Sequence, residues 1–467
     1  MALKAATIKQ LIKITILLLL LFSTAVKIKA QNDDNENHYK GLLANRFDSL
    51  EHWSSHFQFT GIEQGHPYFQ APYSGINSLK NKAEDALSVT STLYIGRRLW
   101  KGAAVFTDAE IAGGSGMSSA LGLAGAANGE TFRVGNPAPA LYMARGYFEQ
   151  HIALRKSRSD HNDGEQNQLA GALPSSRITI TLGKFSLADF FDDNAYSHDP
   201  RSEFMNWSLM DNGAWDYPAN TRGYTWGGVV ELIEPGYSIR ISSVLVPKIA
   251  NSQIYDFNIA RANGETAEFE KKFKIKNHPG NLRFLGFANF SSAPAYSTAI
   301  NEMKNGDSSL INVFSGHTAG VSYGGLKYGG GISFNQELTG KIGVFSRIGW
   351  NDGHTATWAF TEIDQTASAG MRIKPNDKRP SDHFGLAYVV NGISKTHRDY
   401  LNAGGYGFML GDGKLNYGYE QILETFYKVK LTQYLWTTFD YQFVTNPGYN
   451  KDRGPVNIFA IRGHVEF

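Results

Sequence analysis

Val456-Asn-Ile-Phe-Ala-Ile-Arg-Gly-His-Val-Glu-Phe467 is the last stretch of the sequence, and it decides the fold. One face of this stretch is apolar and carries Phe459, Ile461, Val465 and Phe467. The opposite face carries Ile458, Ala460, Arg462, His464 and Glu466. Strict alternation of this kind predicts a strand. An outer-membrane β-barrel needs such a strand, because its last strand must close against its first. The last edge strand of a soluble sheet would show the same pattern, and this alternative stays open here.

The other end of the chain predicts export. Three lysines precede an apolar run at 14–22, and small residues follow as far as Ala30. This order is typical of a secretory signal peptide, and the run is shorter than the roughly 20 residues that a membrane-spanning helix needs. We therefore predict a cleaved signal peptide at 1–30, a periplasmic lead-in at 31–52 and a single barrel domain at 53–467.

The composition narrows the class of protein. The 45 Lys and Arg nearly balance the 43 Asp and Glu, and five of the lysines lie in the predicted signal peptide. A mature chain near neutrality gives no support to a nucleic-acid partner. The chain has no cysteine, which excludes a disulfide scaffold. Glycine is frequent, at 49 residues, and aromatic residues reach 13%, which suits long β-structure with tight turns.

Short alternating segments recur between polar, glycine-rich breaks. The clearest are 88–97, 177–185, 341–350 and 435–444, each with one apolar and one polar or charged face. Strands of about ten residues are long enough to cross a bilayer when tilted. No helical stretch of note stands out. We therefore predict an all-β fold, a transmembrane antiparallel β-barrel whose apolar faces meet lipid. The chain length allows about 16–18 strands, a size that leaves an aqueous channel.

Two kinds of connection are expected between the strands. The polar stretches 156–176, 253–279 and 371–382 are predicted to be solvated loops. The segment 189–226 differs, since it combines many aspartates with Arg201, Arg222 and three of the eight tryptophans. Flat aromatic rings stack on the apolar faces of a sugar, while carboxylates and guanidinium groups pair with its hydroxyls. We predict that this loop folds into the lumen and binds sugar; simple packing against the wall is the alternative.

Patterns that would indicate catalysis lack their required setting. Gly320-Val-Ser-Tyr-Gly324 matches a nucleophile elbow, but its surroundings are typical of strand and turn rather than of strand, turn and helix. The 13 histidines are scattered, and no carboxylate pair stands out for glycoside hydrolysis. We therefore predict no enzymatic activity, no metal site and no cofactor.

Several motifs resemble a known family. The first in chain order is Glu110-Ile-Ala-Gly-Gly-Ser-Gly-Met-Ser118. The others lie at 133–139, 183–186, 189–194, 204–207, 350–353, 358–362, 390–394, 397–400, 411–417 and 446–455. In this order they resemble the OprB-type carbohydrate-selective porins over 87–467. The resemblance implies an outer-membrane barrel that passes sugars by passive diffusion. The chain departs from the family at 31–39, 156–176 and 253–279.

The residues and the resemblance together predict a sugar-selective porin. We expect a weak-binding sugar path lined by Glu110, Arg145, Lys184, Asp192, Arg201, Trp207, Trp215, Asp216, Arg222 and Trp226. Phe467 is the expected assembly signal for the barrel-assembly machinery. Small carbohydrates and outer-membrane lipid are the other expected partners. We expect the protein in the outer membrane of a Gram-negative bacterium, as a monomer or homotrimer with both termini in the periplasm. The alternative is a secreted or outer-membrane β-protein that binds or hydrolyses carbohydrate.

Overall fold

The computed structural model describes residues 52–131, 138–154, 159–162 and 164–467. The predicted signal peptide, and the lead-in up to residue 51, lie outside these residues. Within them, sixteen strands form one closed antiparallel barrel, and two further strands form a separate hairpin. The predicted fold class is therefore confirmed, at the lower end of the expected strand number. No helix in the described ranges is long and apolar enough to cross a membrane.

The strands follow one another along the chain with few helices between them. The first nine strands are β1 (Trp53–His66), β2 (Glu84–Trp100), β3 (Ala103–Gly114), β4 (Ala140–Ala153), β5 (Ser159–Asn162), β6 (Gly171–Pro174), β7 (Arg177–Phe185), β8 (Thr225–Glu234) and β9 (Tyr237–Val244). The remaining strands are β10 (Asn263–Ile275), β11 (His278–Ser291), β12 (Gly325–Thr339), β13 (Ile342–Asn351), β14 (Gln365–Ile373), β15 (His383–Gly392), β16 (Glu420–Lys430), β17 (Leu435–Thr445) and β18 (Val456–Glu466). The α-helices are α1 (Trp207–Met210), α2 (Tyr296–Lys304), α3 (Ile311–Phe314) and α4 (Lys395–Asn402), and 3-10 turns lie at Met117–Ser119, Leu187–Asp189 and Pro447–Tyr449.

The last strand closes the barrel. β18 pairs with β17 on one side and with β1 on the other, where Glu466 lies opposite Gln58. Phe467 extends this seam, because its N–H donates to the carbonyl of Phe57 at 3.0 Å and its own carbonyl accepts from the N–H of Phe57 at 2.8 Å. The two phenylalanine rings lie 5.2 Å apart. The predicted terminal strand is therefore present, and it satisfies the backbone of β1.

The two faces of the wall also follow the sequence pattern. Leu93, Leu182, Ile348 and Phe439, all predicted to be outward, are exposed. On the opposite faces Thr92, Thr181, Arg347 and Asp440 are buried. An exposed apolar face around a buried polar interior is the arrangement of a lipid-embedded barrel.

The prediction of a loop at 253–279 is wrong, because most of this stretch forms β10 and the start of β11. Charged residues on both faces of β10 conceal its alternation. The inward carboxylates Glu268 and Glu270 are balanced by Arg240 from β9, at 2.9 and 3.0 Å. The predicted loop at 371–382 likewise begins inside β14. A strand can therefore carry lumen-facing charge when its neighbours supply the counter-charge.

The two rims of the barrel differ in the length of their connections. Tight turns join β2 to β3, β8 to β9, β10 to β11 and β12 to β13 at the rim where β1 begins and β18 ends. We call this the short-turn rim. Long connections lie at the opposite, long-loop rim, and the longest spans 186–224. The β4–β7 connection is an exception, since it lies at the short-turn rim but contains the β5–β6 hairpin.

The connection 186–224, here called the inserted segment, crosses the barrel interior. It leaves from β7 and returns to β8, yet it contacts the inner face of β13 far around the wall. There Arg347, 1% exposed, donates to the backbone carbonyls of Leu209 at 2.7 Å and Ser197 at 2.6 Å. The Nε of Arg347 also lies 2.8 Å from the Asp192 carboxylate. One buried guanidinium thus ties three points of the segment to the wall.

Two further strands, β16 and β18, also hold the inserted segment. On β16, Glu424 accepts from the backbone N–H of Met205 at 2.5 Å. On β18, Arg462 donates to the carbonyls of Pro200 at 2.6 Å and Glu203 at 2.9 Å. Because charged groups bind the backbone on both sides, the segment has a fixed path across the lumen.

Two wall glycines make room for this packing. Gly331 on β12 and Gly349 on β13 face Asn212 of the inserted segment, and a β-carbon at either glycine would overlap its side chain. Glycine frequency in this chain therefore reflects close packing inside the barrel as well as tight turns.

The seam contact of Phe467 yields a first prediction. Phe467→Ala removes the ring contact with Phe57, and pairs of this kind contribute about 0.5–1.5 kcal/mol beyond their buried area. We expect a lower yield of folded barrel, measured as the heat-modifiable band in gel electrophoresis. Phe459→Ala is the matched control, because that ring contacts Tyr441 on β17 rather than a residue of β1. Equal yields from both variants would contradict the role of the seam.

The second prediction concerns Arg347. Arg347→Ala leaves the buried carboxylate of Asp192 without its ion pair, a change that typically costs about 3–5 kcal/mol. We expect limited proteolysis in detergent to cut the inserted segment faster. Lys341→Ala is the control, since it removes an exposed ion pair with Asp377, worth about 0–1 kcal/mol. Identical digestion of both variants would show that Arg347 does not hold the segment.

Candidate functional site

The inserted segment and the wall of the barrel enclose a cleft of about 340 Å³. Toward the short-turn rim it meets a wider vestibule of about 990 Å³. The side chains that line the cleft fall into two groups, one charged and one aromatic. The charged group includes Arg145, Arg201, Arg222, Glu110, Glu130 and Asp189. The aromatic group includes Trp207, Tyr217, Tyr224 and Phe360.

Arg201 is the centre of the charged group. The inserted segment places its guanidinium between two carboxylates, with Glu110 on β3 at 3.0 Å and Glu130 at 2.8 Å. One of its nitrogens also donates to Gln58 on β1 at 2.8 Å and to Tyr94 on β2 at 3.2 Å. Four groups from three strands and one connection therefore hold this cation in the cleft.

These contacts change the pKa values of the groups in the connections. Burial would lower the pKa of Arg201, but Glu130 and Glu110 raise it well above its ordinary value. Burial raises the pKa of Glu130, and Arg201 opposes this shift. Burial would also raise the pKa of Asp199, but the charge of Arg201 beside it holds that pKa below its ordinary value. Arg201 thus stays charged, and it keeps Asp199 ionised.

The other two arginines are also held by partners. Arg145 on β4 lies 3.2 Å from Asp108 and 2.5 Å from Asp189. Arg222 stacks its guanidinium 4.0 Å from the ring centre of Tyr142, whose hydroxyl donates to Glu110. The cleft therefore presents an ordered set of donors and acceptors with little unbalanced charge.

The aromatic group forms a stack along the cleft. The rings of Trp207 and Phe360 lie 4.8 Å apart at 21°, and those of Tyr217 and Phe360 lie 5.0 Å apart at 28°. The rings of Trp207 and Tyr217 are nearly parallel, at 10° and 6.2 Å. All three rings border the cleft and add an apolar surface to its charged lining.

Two of the predicted sugar-path residues lie behind the stack. Trp215 is 1% exposed and packs its ring 5.2 Å from that of Tyr217. The carboxylate of Asp216 accepts from the backbone N–H groups of Ala359 at 2.8 Å and Phe360 at 2.9 Å. Burial raises the pKa of Asp216, although Lys327 opposes the shift. Both residues therefore position the stack and do not border the cleft.

Three other predicted residues lie away from the cleft. Asp192 is buried against Arg347, as described above. Trp226 is 39% exposed on the outward face of β8, opposite Lys184 on β7. Lys184 follows the same outward alternation, and its ammonium donates to the backbone carbonyl of Met143 at 2.7 Å. The structure therefore brings Glu110, Arg145, Arg201, Trp207 and Arg222 together and leaves these three outside. A lone tryptophan or lysine carries no sign of which face it occupies when its strand is irregular, as at Gly183, where φ is +142°.

Sequence reasoning missed several cleft residues. Glu130 and Phe360 come from separate parts of the chain, so nothing in the local pattern connects them with 189–226. Tyr217 and Asp189 lie inside that segment, but composition alone did not distinguish them from their neighbours. No group of side chains that could hold a metal ion occurs in the described ranges.

Comparisons with known proteins agree with this architecture. A family model described as "Carbohydrate-selective porin, OprB family" matches residues 77–467. Among solved structures, OprB of Pseudomonas putida is similar at 14% identity and a TM-score of 0.66, over 93% of this chain and 100% of that one. The outer membrane channel DcaP of Acinetobacter baumannii has 9% identity and a TM-score of 0.48, over 92% of this chain and 100% of that one.

These similarities carry different weight. At such low identity the likeness to OprB of Pseudomonas putida supports the fold alone, and the likeness to DcaP is too weak to support an argument. No curated protein matches the chain. The family model, however, spans most of the sequence and includes every strand of the barrel except β1. The chain therefore belongs to the carbohydrate-selective porin, OprB family, whose members let carbohydrates diffuse passively through the outer membrane.

Proposed function

We propose that the cleft is the weak sugar-binding constriction of this porin and that it passes mono- or small oligosaccharides. The observation that carries the proposal is that the stack of Trp207, Tyr217 and Phe360 borders the same cleft of about 340 Å³ as three arginines. Sugars present apolar faces and hydroxyl edges, and this cleft offers a surface for each. Its volume lies near the lower end of the roughly 300–1,000 Å³ of small-molecule sites, which favours small solutes.

The paired charges fit uncharged solutes. Arg201 and Arg145 each lie between two carboxylates, so an entering sugar meets donors and acceptors without a strong net field. Hydroxyls exchange hydrogen bonds with such pairs, whereas an ion would also have to displace a counter-charge. Binding must remain weak, because a channel that holds its solute tightly stops conducting. Transport in this scheme is diffusion through the cleft, and it requires no catalytic group.

The proposal includes an orientation and an assembly signal. Porins place short turns on the periplasmic side and long loops outside. The short-turn rim, with both ends of the barrel domain, is therefore assigned to the periplasm. Phe467 is assigned as the residue that the barrel-assembly machinery recognises, which its position in the seam supports. Protease protection of intact cells, with cleavage only in long-loop-rim connections, tests the orientation.

Planar-bilayer recording of the purified protein tests the function itself. We expect discrete conductance steps that added glucose or maltose reduces reversibly. A protein that stays soluble in buffer and forms no steps would instead favour the secreted carbohydrate-binding alternative.

Trp207 gives the third prediction. Trp207→Ala removes the end of the aromatic stack, and loss of an aromatic contact of about 0.5–1.5 kcal/mol corresponds to about two- to tenfold weaker binding. We expect the half-blocking glucose concentration to rise by that factor. Trp226→Ala is the matched control, because this tryptophan faces outward. An unchanged block in Trp207→Ala would remove the stack from the sugar path.

Arg201 gives the fourth prediction. Arg201→Gln deprives Glu110 and Glu130 of their shared cation, so the cleft becomes more negative. We expect the reversal potential in a KCl gradient to shift toward cation selectivity. Arg97→Gln is the control, since it makes the same charge change on the outward face of β2, where Arg97 lies over Trp53 at 4.7 Å. A shift of equal size in both variants would place the effect outside the cleft.

A further inference from the structure

The β4–β7 connection at the short-turn rim enters the lumen. Its residues 164–170 lie between β5 and β6. They form a turn in which the N–H of Gln168 donates to the carbonyl of Glu165 at 3.0 Å. Gln166 and Asn167 occupy the tip of this turn, and Asn167 has a φ of +56°, which asparagine tolerates. We call residues 164–170 the lower turn. The prediction that this region is a solvated loop therefore does not hold for its tip.

Three strands from one side of the barrel, β18 and the adjacent pair β2 and β3, hold the lower turn in place. The amide of Gln166 donates to Glu466 on β18 at 2.9 Å, and the amide of Asn167 donates to Asp108 on β3 at 3.0 Å. Arg98 on β2 donates to the carbonyl of Ala170 at 3.3 Å. Leu169 packs against the apolar cluster around the inserted segment. These contacts bind the turn inside the wall, whereas a free surface loop would extend into solvent.

The tip of the lower turn lies at the junction of the two cavities. The side chains that border both the cleft and the vestibule are Tyr94, Arg145, Gln166, Asp189 and His198. All except Gln166 come from the barrel wall or the inserted segment. Gln168, only two residues further along, borders the vestibule alone and is exposed. A solute that leaves the cleft toward the short-turn rim therefore passes Gln166.

Gln166 also has suitable chemistry for a sugar contact. Its amide nitrogen is anchored on Glu466, which fixes the orientation of the group, and the same amide offers an acceptor oxygen. Across the junction, Arg145 is held by Asp108 and Asp189 and supplies donors. An uncharged amide beside an ordered guanidinium suits the hydroxyls of a neutral sugar.

We propose that Gln166 is a specificity-determining residue of the pore, forming with Arg145 and Asp189 a second contact point through which sugars leave the cleft for the vestibule. This rests on the proposed function of the cleft. In this proposal the pore has two narrow points. The inserted segment forms one, and the lower turn, which enters from the short-turn rim, forms the other.

The first test compares Gln166→Ala with Gln168→Ala in planar bilayers. We expect Gln166→Ala to raise the conductance and to raise the half-blocking glucose concentration about two- to tenfold, the change expected for one lost hydrogen bond. Gln168→Ala should match the wild type in both. Unchanged conductance and block in Gln166→Ala would overturn the proposal, and so would an equal change in Gln168→Ala.

The absence of native cysteine permits a second test, which measures directly whether position 166 is accessible from the pore. Gln166→Cys should react with a cationic methanethiosulfonate reagent, the modification should lower the current, and glucose should slow the reaction. Gln168→Cys should react without protection by glucose. A Gln166→Cys channel that resists the reagent, or that glucose fails to protect, would remove Gln166 from the path.

Different results would overturn the function proposed for the cleft and the role proposed for Gln166. A wild-type current that no sugar reduces would overturn the proposed function, and the role of Gln166 with it. A wild-type current that sugar does reduce, combined with unchanged block in Gln166→Ala, would overturn only the second contact point.

Discussion

Lipid cannot hydrogen bond to a peptide backbone, and this constraint governs the rest of the structure. Every strand in the wall must pair on both edges, so the first and last strands have to meet. β18 and Phe467 satisfy β1, and the sheet has no free edge. Closure of sixteen strands in turn creates a wide interior, which the protein fills with connections from its own chain. Selectivity is therefore a property of what fills the barrel.

The filling is held by buried charge as well as by an extensive apolar cluster. Arg347 and Arg462 bind backbone carbonyls of the inserted segment, while Glu424 binds its backbone N–H groups. Such buried ions are costly without partners, and here the segment's own peptide groups give each of them hydrogen bonds. The same hydrogen bonds that hold the inserted segment also fix the positions of Arg201 and Trp207. The contacts that pack the inserted segment against the wall therefore also fix the geometry of the cleft.

The sequence predicted the wall better than the interior. Alternation identified the faces at Leu93 and Phe439 because a period of two is a local property of the strand. It failed at β10, where charge on both faces concealed the alternation. In the cleft, composition pointed to Arg201 and Trp207 but could not separate them from Trp215 and Asp216, which support the stack from behind. Glu130 and Phe360 come from remote connections, and only the folded chain brings them to the site.

The seam strand has a consequence beyond closing the sheet. Arg462 anchors the inserted segment and Glu466 anchors the lower turn, so both segments inside the barrel depend on β18. A barrel in which β18 has not yet paired with β1 would lack the anchors for both the inserted segment and the lower turn. Assembly and selectivity are thereby coupled, because the strand pairing that closes the wall also positions the two segments inside the barrel. A stalled intermediate would be both unsealed and unselective, which gives the cell a reason to complete this strand quickly.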